Sequence, residues 1–136
     1  MTKYLLDTCI WRDFYENRKN KADLPIGKSA TALFIKIIKN QDYILFSEAL
    51  IWELRKGYYD PEINDMLNLL FTNKILTKIE ITKEDYRESR RLSKERNLPF
   101  VDCLNAIQAR NHKAFLVTRD IHYFNQLSDI ITAMKP

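Results

Sequence analysis

The chain has 136 residues and a mass of 16.2 kDa, enough for one hydrophobic core without a disulfide staple or structural metal. Hydrophobic residues at 46% and charged residues at 29% exclude wholesale disorder, and no apolar run approaches the roughly 18 residues of a membrane span. The net charge of +4, from 22 basic and 18 acidic side chains, fits an anionic partner without identifying one.

Cys9 and Cys103 are the two cysteines, and without CxxC spacing they support neither a zinc knuckle nor a secreted disulfide scaffold. Asp7 interrupts the first apolar stretch too early for a signal peptide, so a cytoplasmic protein with no membrane attachment is expected. Gly27 and Gly57 are the only glycines. That excludes a Rossmann or P-loop phosphate cradle, which needs clustered glycines for close backbone approach.

In chain order, Lys3 to Asp7 is a short apolar run ending in a carboxylate, and it predicts a buried strand. Ile10, Trp11, Phe14 and Tyr15 recur at helical spacing, and Ser29 opens a second helical pattern that ends near Asn40. Tyr43 to Phe46 predicts another buried strand, with Ser47 capping a helix that runs to Gly57. Pro61 suits the first turn of the next helix. Ile75 to Ile81 alternates as a third strand, and Thr82 with Asp85 has capping-box spacing before a charged helix that reaches Asn97. A helix follows Pro99. Ala114 to Thr118 predicts a fourth strand, and Asp129 to Ala133 a fifth. Strands alternating with helices predict an α/β domain with a mainly parallel sheet of four to five strands.

Ligands of such sheets bind beyond the carboxyl ends of the strands. Asp7 and Asp120 stand at two such ends, although either could simply be a turn or capping acid. Glu53 shares its helical face with Ala49 and Gly57, whose small size suits a semi-buried carboxylate; the alternative is an exposed pair with Lys56. Asp102 falls in the first turn of a helix, where a dipole-stabilised acid is the alternative role. Two carboxylates about 5 Å apart repel by roughly 3 kcal/mol at an effective dielectric near 20. A fold that gathers four acids must supply a cation or cationic side chains. Because His112 and His122 read as a helix-end and a loop histidine, the donor set is all oxygen, which points to Mg2+ or Mn2+.

Taken together, LLDT at Asp7, the helical EL-RKG around Glu53, VDCLNAIQA around Asp102 and VTRD at Asp120 resemble the PIN-domain ribonucleases, most closely the small VapC-type toxins. The four motifs match in order and spacing over essentially the whole chain, which the resemblance makes one PIN-like domain, residues 1–136. It implies a three-layer α/β/α sandwich and a metal-dependent endoribonuclease leaving a 5′-phosphate and a 3′-hydroxyl. Asp7, Glu53, Asp102 and Asp120 then occupy the acidic positions, and Thr8 and Thr118 the hydroxyl positions. Mg2+ held by Asp7, Asp102 and Asp120 would polarise the phosphodiester, while Glu53 would orient the water or complete the metal shell. Where some relatives carry further acids, this chain has Asn105, His122 and Asn125, which leaves a second metal without a full ligand set while one-metal chemistry stays supportable.

Arg87, Arg90, Arg91 and Lys94 form a basic stripe, but Glu84, Glu88, Arg91 and Glu95 on the same helix read as an intrahelical ion-pair ladder. Arg119, beside Asp120, is the better candidate for a substrate phosphate. Trp11, Trp52, Phe14 and Tyr15 suit core packing or a groove for a partner helix, which the resemblance would supply as a cognate antitoxin; it also implies a homodimer. A non-catalytic RNA- or protein-binding module is the competing class. Four clustered negative charges argue against it for RNA. A phosphotransferase with Asp7 as nucleophile would place a second Asp where Cys9 stands.

Overall fold

The computed structural model describes residues 1–20, 25–72 and 74–136. Its elements are β1 (Lys3–Leu6), α1 (Thr8–Asn20), α2 (Pro25–Asn40), β2 (Tyr43–Phe46), α3 (Glu48–Leu54), α4 (Asp60–Thr72) and β3 (Leu76–Lys78). After these come α5 (Lys83–Arg96), α6 (Phe100–Asn111), β4 (Phe115–Val117), α7 (Ile121–Asn125) and β5 (Ala133–Met134). The strands form one parallel sheet in the order β3-β2-β1-β4-β5.

Successive strand side chains point to opposite faces, and both faces are apolar. Tyr4, Leu6, Ile44, Phe46 and Val117 join the core beneath α1 to α4, where Trp11 and Phe34 pack edge to face. Leu5, Leu45 and Leu116 join the opposite core with Leu92, Ile107 and Tyr123 from α5, α6 and α7. The result is the expected three-layer sandwich.

Local chemistry explains most boundaries. Ser47 accepts from the Ala49 N–H at 3.2 Å, and Thr82 and Asp85 close a reciprocal capping box at 3.0 and 3.2 Å. The second helix begins at Pro25, ahead of Ser29, because proline's fixed φ and missing N–H are tolerated in a first turn. The third strand is confined to Leu76–Lys78, since the chain leaves the ladder to enter the Thr82 cap. The fifth strand lies at Ala133–Met134; Asp129 instead receives both Arg96 guanidinium nitrogens at 2.7 Å. Among the described residues no helix is long and apolar enough to cross a membrane.

Candidate active site

Parallel register builds the centre of the site. Leu6 lies opposite Val117, so the residues that follow, Asp7 and Thr118, stand side by side where both strands end. Asp7 is 7% exposed; its Oδ2 accepts from the Thr118 hydroxyl at 2.8 Å and its Oδ1 from the Thr8 N–H at 2.9 Å. The Tyr123 hydroxyl lies 3.3 Å from Asp7 Oδ1 and 3.3 Å from Asp102 Oδ1, so its single proton bridges the two acids. Asn105 Nδ2 approaches Tyr123 Oη at 3.2 Å and Asp7 Oδ1 at 3.5 Å.

Asp102 sits in the first turn of α6, its side chain 15% exposed, and projects from the opposite layer toward the same point. Asp120 caps α7, accepting from the His122 N–H at 3.0 Å, while its own N–H donates to Thr118 Oγ1 at 2.9 Å. Capping and site membership are therefore compatible roles for one carboxylate. An open cavity of about 310 Å³ is lined by Asp7, Thr8, Glu53, Asp102 and Asp120. All four expected acids share it. Arg12, Lys56 and His122 also line it.

Crowding these charges shifts their titration. Burial pushes the Asp7 carboxyl up, and the hydrogen bonds from Thr118, Thr8 and Cys9 only partly offset that. Burial first, and then the Asp7 charge, push Asp102 up to about 6. Among the described residues no lysine or arginine pairs with Asp7, Asp102 or Asp120, so the oxygen donors present fit a divalent cation. Glu53 stands across the cavity, four-fifths buried, with its Oε2 3.0 Å from Lys56 Nζ. The semi-buried acid and the Lys56 pair are thus both present.

The structure adds detail to several expectations. The Arg119 guanidinium grips Asp13 on α1 through two bonds of 2.6 and 2.8 Å, and Arg119 is not among the residues that line the cavity. The exposed cations on the cavity are Arg12, one position before that acid on α1, and Lys56. His122 is no bland loop residue, because its Nδ1 lies 3.4 Å from both Asp102 Oδ2 and Asp120 Oδ1. His112 does end α6, as expected, and Asn125 is exposed. On α5 Glu88 pairs with Arg110 of α6 at 2.7 Å, and the Arg91–Glu95 pair spans 3.9 Å. Trp11 and Phe14 are buried in the core, whereas Trp52 is 41% exposed.

Thr118 carries an immediate test. Thr118→Val removes the donor to buried Asp7 and the acceptor for the Asp120 N–H, so stability falls by about 2 kcal/mol. The urea midpoint of unfolding measures it.

A parallel sheet with converging acids at its carboxyl edge defines a class of α/β proteins built around a cation-seeking site. The family model for the PIN domain matches residues 4–129, and the chain belongs to that family. PIN domains are generally nucleases that use divalent metal ions. Among solved structures, the chain is similar to one in VapBC2 from Rickettsia felis bound to a promoter DNA fragment, with a TM-score of 0.67 and 20% identity over 98% of each chain. It is also similar to a chain of a toxin–antitoxin complex from Klebsiella pneumoniae, with a TM-score of 0.66 and 18% identity, covering 98% of this chain and 99% of that one. A protein of known structure from Pyrobaculum aerophilum gives 0.58 and 20%, over 98% of this chain and 83% of its own. At these identities the likeness concerns the fold. No curated protein matches the sequence.

Proposed function

We propose that this protein is a metal-dependent endoribonuclease and the toxin of a toxin–antitoxin pair. The observation that carries the reading is the convergence of Asp7, Glu53, Asp102 and Asp120 on one cavity, where among the described residues only Glu53 has a lysine or arginine paired to it. The toxin role draws support from the two similar structures, which are a VapBC2 complex and a toxin–antitoxin complex.

Asp7, Asp102 and Asp120 would hold Mg2+ or Mn2+, which lowers the pKa of water and neutralises charge developing on the phosphate. The protein's own groups do the rest. Thr118 and Tyr123 fix Asp7, so its orientation is set before substrate arrives. Glu53, held by Lys56, accepts a hydrogen bond from the attacking water and keeps it in line with phosphorus. Arg12 and Lys56 at the cavity wall bind the phosphates that flank the scissile bond. Cleavage at the 3′ oxygen leaves a 5′-phosphate and a 3′-hydroxyl. The same acidic cavity offers an antitoxin segment a place for an Arg or Lys side chain, with the toxin acting as a homodimer.

The test is RNA cleavage in Mg2+ or Mn2+ against a chelator control. Asp7→Asn and Glu53→Gln should each reduce the rate by about 100-fold or more. Arg12→Ala, placed in the Asp7→Asn background, should weaken RNA binding and lower its salt dependence by about one released counterion. RNA binding without cleavage under any divalent ion would favour the non-catalytic module instead.

A further inference from the structure

We propose that His122 supplies an imidazole nitrogen to the divalent ion held by Asp102 and Asp120, and that this nitrogen tilts the site toward Mn2+ over Mg2+. The inference rests on the metal-dependent reading above and names the ion that the site prefers.

Local structure aims the ring. Asp120 caps α7 by accepting the His122 N–H, which places His122 in the first turn, directly above the carboxylate. Its neighbours diverge, with Tyr123 fully buried in the core and Ile121 64% exposed, so the ring lies half-exposed against the cavity. The ligand atoms of Asp102, Asp120 and His122 all lie within 4.8 Å of one another, the one such group among the described residues.

Hydrogen bonding explains this geometry poorly. The same atom, Nδ1, faces both carboxylates at 3.4 Å, beyond the usual range of about 2.7–3.2 Å. A single Nδ1 proton could reach both carboxylates only through long, shared contacts, and Asp120 Oδ1 already accepts the His122 backbone N–H at 3.0 Å. Separations of this size instead resemble the edges between ligands around a first-row ion, about 3.0–3.4 Å for bonds of about 2.1 Å. Two carboxylates and one imidazole form a mixed oxygen and nitrogen set. Mg2+ prefers oxygen donors alone and sheds water reluctantly, whereas Mn2+, a softer first-row ion, takes an imidazole more readily than Mg2+ does.

Titration calorimetry with MnCl2 and with MgCl2 on wild type, His122→Ala, His122→Asp and Asp102→Asn tests this directly. His122→Ala should weaken Mn2+ by about 10-fold or more and Mg2+ by less than about 3-fold. His122→Asp, which makes the set all oxygen, should reverse the preference by strengthening Mg2+ relative to Mn2+. Pulsed electron paramagnetic resonance on bound Mn2+ should show a nitrogen coupling in wild type that both His122 variants lose. Equal losses for the two ions, or a spectrum with no nitrogen coupling, would overturn the role of His122 while leaving the metal site standing. Wild type that binds neither ion, or binds both as well after Asp102→Asn, would remove the metal site itself and the inference with it.

Discussion

Asp102→Asn will abolish cleavage and raise the melting temperature of the metal-free protein at pH 7.5. The Asp102 carboxyl titrates at about 6 in the fold, because burial and the neighbouring Asp7 charge disfavour its ionised form. In the unfolded chain the same group titrates near 4, so the folded state binds its proton more tightly. Stability is therefore intact below about pH 4, declines as pH rises through about 6, and stays reduced above it. At about 1.4 kcal/mol per pH unit, the penalty at pH 7.5 is about 2–3 kcal/mol. Asparagine removes the charge and keeps an oxygen for the Tyr123 hydroxyl, but forfeits about 0.3–1 kcal/mol of helix-dipole interaction. The net gain is about 1–2 kcal/mol, a rise of several degrees in a domain of this size. At pH 4 the two proteins should melt together. Millimolar Mg2+ should then stabilise wild type by mass action, by about 2.7 kcal/mol at a hundredfold excess over Kd, and the variant far less. A variant that melts lower than wild type, responds equally to Mg2+ and still cleaves RNA would reduce Asp102 to an ordinary first-turn acid.

The candidate site was legible in the sequence wherever local pattern and parallel pairing act together. YLL and FLV are apolar on both faces and each leads into Asp7 or Asp120, so the sheet itself joins their carboxyl ends. Asp102 and Glu53 were legible as acids on helices that return to that edge. What escaped depends on tertiary direction. α7 has only five residues, too few for an apolar period, and its Asp120 cap is what turns His122 inward. The single available signal was the D-x-H spacing of Asp120 and His122, which alone is common in loops. Tyr123 carried no local signal, since its hydroxyl finds Asp7 across 116 residues of sequence. Asp13, buried on α1 among Trp11 and Phe14, gave no hint that its partner lies 106 residues later.

That partner is the subject of the second large effect. Arg119→Ala should destabilise the protein by about 2–3 kcal/mol and leave the affinity for RNA nearly unchanged. The Asp13 side chain is 7% exposed, and both its oxygens receive Arg119 nitrogens, at 2.6 and 2.8 Å. Removing the guanidinium leaves a buried carboxylate unpaired, a change that costs about 3–5 kcal/mol where both partners are buried. Arg119 is 37% exposed, so water can reach the gap and the loss is smaller. The damage is local in origin. The Arg119–Asp13 fork ties the turn after β4 to α1, and that turn carries Thr118 and Asp120 into the site. Cleavage should fall along with stability because the Asp120 carboxylate loses its fixed position, not because a phosphate contact is gone. A double variant, Asp13→Asn with Arg119→Ala, separates these causes, since it removes the unpaired charge and should recover part of the lost stability. If Arg119 instead contacted a substrate phosphate, the single variant would melt like wild type and bind RNA more weakly with a shallower salt dependence. Urea unfolding and RNA titration of the three proteins at two salt concentrations read both outcomes, and an unchanged urea midpoint for Arg119→Ala would refute the tie to α1.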